Sequence, residues 1–161
     1  MADPAITLRP ATVDDAGIVR ALNREVQALH HEALPWRFKP PADETAMRAH
    51  FTALIVHPDH RFVLAFHGDE PAGYVYFEIR RSPETVFATA SVSIYIHHIS
   101  VALKFRKRGI GSALMASVET AARNEGIDMV QVDFWTFNAA AREFYRSLSY
   151  VPFNERWWKL S

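Results

Sequence analysis

Ile94-Tyr95-Ile96-His97-His98-Ile99-Ser100-Val101 and, four residues further on, Arg106-Lys107-Arg108-Gly109-Ile110-Gly111-Ser112-Ala113-Leu114 decide how the rest of this 161-residue chain is read. The first stretch is β-branched and aromatic, and it is long enough for a strand. Beyond the basic turn, Ile110, Leu114, Val118 and Ala122 recur every fourth residue, the stripe of an amphipathic helix. A strand, a basic turn with glycine and a helix start together make an anion cradle. Free N–H groups of the first helical turn point outward, the helix dipole favours negative charge there, and glycine removes the Cβ that would hold an anion away. The segment is therefore read as a phosphate cradle built from Arg106, Lys107, Arg108, Gly109, Ile110, Gly111 and Ser112.

Spacing narrows the kind of cradle. No Gly, four residues, Gly-Lys-Ser/Thr run is present, and a dinucleotide fingerprint counted from Gly109 would need glycine where Leu114 stands. Arg106-x-x-Gly109-x-Gly111 instead resembles the Arg/Gln-x-x-Gly-x-Gly/Ala turn of the GNAT superfamily of N-acetyltransferases. A second stretch, Asn138-Ala139-Ala140-Ala141-Arg142-Glu143-Phe144-Tyr145 followed by Leu148-Ser149-Tyr150, resembles that family's later Asn-x-x-Ala-x-x-Phe-Tyr and Leu-Gly-Phe motif. Asn138 is also a sound helix N-cap, and Ala141, Phe144 and Leu148 make an apolar face without any ligand. That accounts for the helix but not for both motifs in the right order and separation. Ser149 departs from the family glycine, and a serine held left-handed there costs roughly 1 kcal/mol.

The resemblance implies that acetyl-coenzyme A is the co-substrate, its pyrophosphate in the cradle and near Asn138. Its pantetheine arm would lie as an added strand against the backbone of Ile99, Ser100 and Val101. Tyr145 stands at the family's thiol-side tyrosine, a candidate general acid. Acetyl transfer to an amine also needs an uncharged nucleophile and a stabilised oxyanion. A backbone N–H near Ser100 or Val101 suits the oxyanion. Three residues resemble positions where family members carry a base: Tyr95, His97 and Asp133. Strand alternation puts Tyr95 and His97 on one face and His98 on the other with Ile94 and Ile96, unless a bulge shifts the register. His97 has an intrinsic pKa near neutrality, whereas Asp133 would need burial to act as a base or would hold the cationic amine. The choice among His97, Asp133, Tyr95 and water stays open from sequence.

Composition limits the alternatives. Apolar residues make up 49%, as in a globular protein, and the length suits one domain over 1–161. Eighteen basic and 18 acidic side chains balance, which argues against nucleic acid as a partner. There is no cysteine, so disulfides, thiolate metal sites and a cysteine nucleophile are excluded. No metal is expected. The absence of a long apolar run or a leader suits a cytoplasmic protein that does not enter a membrane.

In chain order, Ile6 to Pro10 reads as a strand, and Thr12 with Asp15 as a capping box opening a helix to about His31. Leu34 to Pro41 is an aromatic, basic loop whose Trp36 and Phe38 either dock on the core or line the acceptor pocket. A helix over about 43–56 follows, then strands over Arg61 to His67 and Ala72 to Arg81 joined by a turn at Gly68. Val75, Phe77 and Ile79 take one face of the second strand, with Tyr74, Tyr76 and Glu78 on the other. Asn124-Glu125-Gly126 ends the cradle helix, Met129 to Phe134 is a short strand, and Val151 to Leu160 is read as a closing strand bearing Phe153, Trp157 and Trp158. The fold class is α/β: a mixed, largely antiparallel central sheet flanked by helices.

The leading expectation is an N-acetyltransferase moving acetyl to a small-molecule or peptide primary amine by direct transfer in a ternary complex. A non-catalytic coenzyme A-binding regulatory module is the alternative, and a nucleic-acid binder built on the basic turn a third. The acceptor and the oligomeric state, with a homodimer among the options, are left open.

Overall fold

The computed structural model describes residues 4–159. The first strand, β1 (Ile6–Pro10), leads through a 3-10 turn over Val13–Asp15 into α1 (Ala16–Ala33). Asp15 fixes that entry: its carboxylate accepts the Thr12 N–H at 2.8 Å and is gripped by both terminal nitrogens of Arg9 at 2.7 Å. The Arg9 guanidinium outweighs the burial and holds the Asp15 pKa down at about 2. Next come α2 (Glu44–Ile55), capped by Asp43, then β2 (His60–His67), β3 (Glu70–Ser82) and β4 (Ser91–Val101). After the basic turn lie α3 (Ile110–Asn124), β5 (Val130–Val132) and α4 (Ala139–Ser147).

The strands form one sheet in the order β1-β2-β3-β4-β5, antiparallel throughout except for the parallel β4–β5 pair. The alternation expected for β3 holds. Val75, Phe77 and Ile79, with Ile94 and Ile96 of β4, pack against Ile110, Leu114, Met115 and Val118 of α3. On the opposite face Phe62, Leu64, Tyr74 and Tyr76 pack against Val19 and Leu22 of α1 and Phe51 of α2. Burying each such side chain stabilises the fold by roughly 1.5–3 kcal/mol. The two cores fix the sheet from both faces.

Two irregularities matter for the site. Between β2 and β3 the register slips at Ala65/Phe66, and between β3 and β4 it slips at Tyr76/Phe77. The second slip is a bulge: Tyr76 pairs with His98 and Phe77 with Ile96, leaving His97 as the extra residue. His98 therefore does not join Ile94 and Ile96. It lies on the α1 side with His97, its Nδ1 3.3 Å from the Tyr74 hydroxyl. Burial, with the neighbouring histidines, lowers its pKa to about 4, so it is a neutral core histidine.

The closing strand expected over Val151 to Leu160 does not form within the described residues: 151–159 carries no strand, and Leu160 lies outside them. Among the described residues β5, the edge strand on that side of the sheet, is three residues long, and Pro152 has no N–H to contribute to a ladder. Phe153, Trp157 and Trp158 are left exposed, with Trp158 tilted against Trp36 at 5.1 Å.

Candidate active site

The basic turn leads into α3 through two left-handed residues. Lys107 (φ 62°) and Gly109 (φ 81°) are both left-handed, and Gly109 is the N-cap of α3. The turn is held from behind, because Arg106 Nε donates to the Val101 carbonyl at 3.1 Å and its guanidinium lies 3.8 Å from Glu25. Arg106 thus braces the loop. The two glycines have different reasons to be glycine. A Cβ on Gly109 would meet open space, so its left-handed backbone is the constraint; a Cβ on Gly111 would come within 3.2 Å of the Phe144 ring. Gly111 lets α4 seat against the first turn of α3. Asn138 also has a structural task, its Oδ1 accepting the Ala141 N–H at 3.0 Å as the N-cap of α4.

An open edge runs from the cradle along β4. Pairing with β3 continues to Val101–Gly73, whereas pairing with β5 stops at Ile96–Val132. From His97 to Val101, β4 therefore has a strand on one side only among the described residues. Such an edge can take an extended ligand through main-chain hydrogen bonds. Ser100 spends its side chain on the fold, its buried hydroxyl donating to the Leu22 carbonyl at 2.9 Å, so only its backbone is available.

Tyr145 belongs to the α3-side core, against which Ile99 and Val101 of this edge also pack. It is 5% exposed and its ring packs on Phe134, Phe144 and Tyr150. Burial pushes its phenol well above the usual tyrosine value, so the hydroxyl stays protonated. The end of α4 positions it. Tyr150 N–H reaches the Tyr145 carbonyl at 3.0 Å and Ser149 N–H reaches Arg146 at 3.0 Å, the two bonds of a Schellman cap. Ser149 has φ 66°, so the serine does occupy the left-handed position.

On the other face the base candidates are brought together. Tyr95 donates to Asp133 Oδ2 at 2.8 Å, and the Arg80 guanidinium sits 3.7 Å from the centre of the Tyr95 ring. Burial and Asp133 raise the Tyr95 pKa to about 12, which removes it as a base near neutrality. His97 stacks flat on Tyr76, 4.5 Å between centroids, with Nε2 3.3 Å from Glu78 Oε2. Its edge faces the Tyr95 ring at 4.9 Å.

The alternation of β3 gives Glu78 a face but no partner, and a strand begun at Arg61 leaves His60 out. His60 pairs directly with Glu78 across β2 and β3, and its Nε2 also lies 3.3 Å from Glu78 Oε2. Trp36 and Phe38 belong to neither core cluster. Phe38 stacks on His30 at 4.9 Å and meets Trp135 edge-on at 5.0 Å, tying the loop after α1 to the loop after β5. Trp135 and His30 were not foreseen, since nothing in their spacing links them.

The acetyltransferase (GNAT) family model matches residues 24–150. The chain belongs to the GNAT acetyltransferase family. No curated protein sequence matches it. Among solved structures, a tetramutant of the BH1408 protein from Bacillus halodurans is 21% identical with a TM-score of 0.86, covering 96% of this chain and 99% of that one. An aminoglycoside N-acetyltransferase AAC(6')-Iy in complex with CoA is 16% identical with a TM-score of 0.79, covering 99% and 97%. A predicted acetyltransferase from Clostridium acetobutylicum with acetyl-CoA is 14% identical with a TM-score of 0.72, covering 98% and 96%. These likenesses establish the fold. Among the described residues, no group of three or more His, Cys, Asp or Glu is placed to hold a metal ion, and no helix is long and apolar enough to cross a membrane.

Proposed function

We propose that this GNAT protein transfers acetyl from acetyl-CoA to a primary amine by direct attack in a ternary complex. The observation that carries this reading is the placement of the polar groups Tyr95, His97 and Asp133 beside a strand edge that opens toward an anion cradle. A protein that only bound coenzyme A would need the cradle and the edge but not these groups.

In this reading the cradle, with Lys107, Gly109 and the first N–H groups of α3, holds the pyrophosphate. The edge from His97 to Val101 pairs with the pantetheine arm, and a backbone N–H there stabilises the oxyanion. Asp133, oriented by the Tyr95 hydroxyl, holds the substrate ammonium. His97 takes the proton that the ammonium must lose, so that the nitrogen lone pair can attack the thioester carbonyl. The C–N bond forms, the tetrahedral centre collapses, and the C–S bond breaks to leave a thiolate. Tyr145 supplies a proton to that sulfur. The desolvation that raises the phenol also raises the basicity of a thiolate leaving against the same core, which keeps the transfer matched. Phe38 and Trp135 give the acceptor an aromatic wall suited to a cationic amine.

The test is thiol release from acetyl-CoA against a panel of small amines, polyamines, aminoglycosides and peptide N-termini. Turnover with at least one of them, dependent on amine concentration, is expected. Tight coenzyme A binding with no amine-dependent thiol release across the panel would instead favour the non-catalytic module.

A further inference from the structure

Glu78 is the point where two imidazoles meet one carboxylate. Its Oε2 lies 3.3 Å from His60 Nε2 and 3.3 Å from His97 Nε2, while Arg80 fixes Oε1 with two contacts of 2.7 Å. Its side chain is 19% exposed, against 14% for His60 and 27% for His97. His97 Nε2 is shut off from solvent and lies off the axis of a formed hydrogen bond to Glu78. Contacts of this length commonly tighten when a substrate closes the site.

We infer that Glu78 is the positioning residue for the proton-accepting histidine, with His60 as a competing second imidazole on the same carboxylate oxygen. The inference rests on His97 being the base in the proposed acetyl transfer. An ionised carboxylate only accepts hydrogen bonds, so each Nε2 facing it carries the hydrogen and each Nδ1 carries the lone pair. For His60 that lone pair faces the Tyr76 hydroxyl at 3.2 Å, a phenol that burial keeps protonated. For His97 it leaves Nδ1 as the basic atom. Stacking on Tyr76 prevents the His97 ring from tilting off this alignment. Burial alone would raise the Glu78 pKa, but Arg80 and His97 outweigh it and hold the group ionised.

The two rings are 6.3 Å apart, so two imidazolium charges on one carboxylate oxygen would repel, and His57 stacks on the far side of this group, 4.1 Å from the His60 ring. The charged and titratable groups around His97 are Glu78 and Tyr76 from β3, His60 from β2, and Tyr95 and His98 from β4. Arg80 lies beyond the Tyr95 ring, and His30 of α1 and His50 of α2 act on His98. Among the described residues, Glu78 is the one anion in contact with the imidazole. Removing its charge destabilises the imidazolium and moves the acidic limb of the kcat/KM profile to lower pH. Removing His60 frees the carboxylate for His97 alone and moves that limb upward.

The experiment combines long-range ¹H–¹⁵N correlation of the histidine rings in the whole chain with pH-dependent kinetics of Glu78→Gln, Glu78→Asp, His60→Gln and His97→Ala. Above the histidine titration, wild type should show His97 protonated at Nε2, and Glu78→Gln should shift the population toward Nδ1–H. In Glu78→Gln, kcat/KM for the amine should fall by about 10²-fold, with the thermal shift given by acetyl-CoA retained. Glu78→Asp, which keeps the charge but shortens the reach, should lie between and covers the case in which Gln fails to fold. A His97 lone pair at Nε2 in wild type overturns the inference. So does near-wild-type kinetics for Glu78→Gln and Glu78→Asp alongside an inactive His97→Ala, which leaves the base assignment standing. Full activity in His97→Ala removes the base itself, and the ring-nitrogen spectra still decide whether Glu78 sets the tautomer.

Discussion

Exchanging the cap residues of α3 and α4 should move stability in opposite directions by similar amounts. Both helices end in the same Schellman geometry. In α3, Gly126 N–H reaches Arg123 at 3.2 Å and Ile127 N–H reaches Ala122 at 2.8 Å; in α4, Ser149 and Tyr150 make the equivalent bonds at 3.0 Å each. The left-handed residue has φ 66° in both, but it is glycine in one and serine in the other. An L-residue in that region costs about 1–2 kcal/mol, and glycine gives back about 0.5–1 kcal/mol through greater backbone entropy in the unfolded chain. Ser149→Gly should therefore stabilise by about 0.5–1 kcal/mol, raising Tm by roughly 1–4 °C for a chain of this size. Gly126→Ser should lower it correspondingly, since a Cβ there meets nothing within 4 Å and only the backbone term acts. Thermal and urea unfolding followed by circular dichroism, with an unchanged urea slope, measures both. A fall in Tm for Ser149→Gly, or no loss for Gly126→Ser, would refute the argument that φ at these caps sets the cost. Because Tyr145 carries the carbonyl that Tyr150 bonds, Ser149→Gly should leave kcat unchanged if the cap geometry is already complete.

Asp15→Asn should cost about 1–2 kcal/mol at pH 7. The folded pKa of about 2 against about 3.9 unfolded is worth more than that per proton, but Arg9 is half exposed and solvent screens the pair. Since the folded pKa is depressed, the contribution is complete above about pH 4 and is lost as pH falls toward 2, so the Tm gap between variant and wild type should close over that window. Gly109→Glu should lower Tm through its left-handed φ and also lose the thermal shift given by acetyl-CoA, whereas Gly111→Ala should lower Tm because Phe144 must move but keep that shift; loss of the shift in both variants, or in neither, would sink the division of roles. In Tyr145→Phe, kcat should fall by about 10²–10⁴-fold with cofactor affinity retained, and less with an acyl donor whose leaving thiol is more acidic. Phe38→Ala should raise the KM for the amine through the lost aromatic wall, while Trp36→Ala, on a 58% exposed ring, should change it little; a collapse of stability in Phe38→Ala would mean that the ring serves packing alone.

Much of the fold was legible because its signals are local. Ile6 to Pro10, the cradle helix, the Gly126 stop and the faces of β3 follow from side-chain period and from residues that tolerate a left-handed backbone. The cradle was legible for the same reason, since its residues are consecutive. What failed depended on partners distant in sequence. Val151 to Leu160 has the composition of a strand, but a strand needs an edge, and β5 offers three residues. The ring cluster of His30, Phe38 and Trp135 joins segments about a hundred residues apart, and no spacing announces it.

The arrangement on the α1 face turns on the two register slips. A hairpin turning at Gly68 and Asp69 pairs His67 with Glu70, and continued without interruption it would set Phe77, an apolar residue of the α3 core, opposite His60. The slip at Ala65/Phe66 advances β3 by one residue and sets Glu78 opposite His60 instead. In β4, strict alternation would send His98 to the α3 core, where an imidazole would find Ile94 and Ile96 for neighbours. The bulge at His97 costs one ladder position and turns His98 toward α1 beside His97, so that His98 meets Tyr74 while His97 meets Glu78. It also turns Ile99 and Val101 onto the α3 side, next to the core that holds Tyr145. One extra residue therefore keeps His98 beside His97 on one face of β4 and turns the residues of the open edge toward the core that holds the candidate acid.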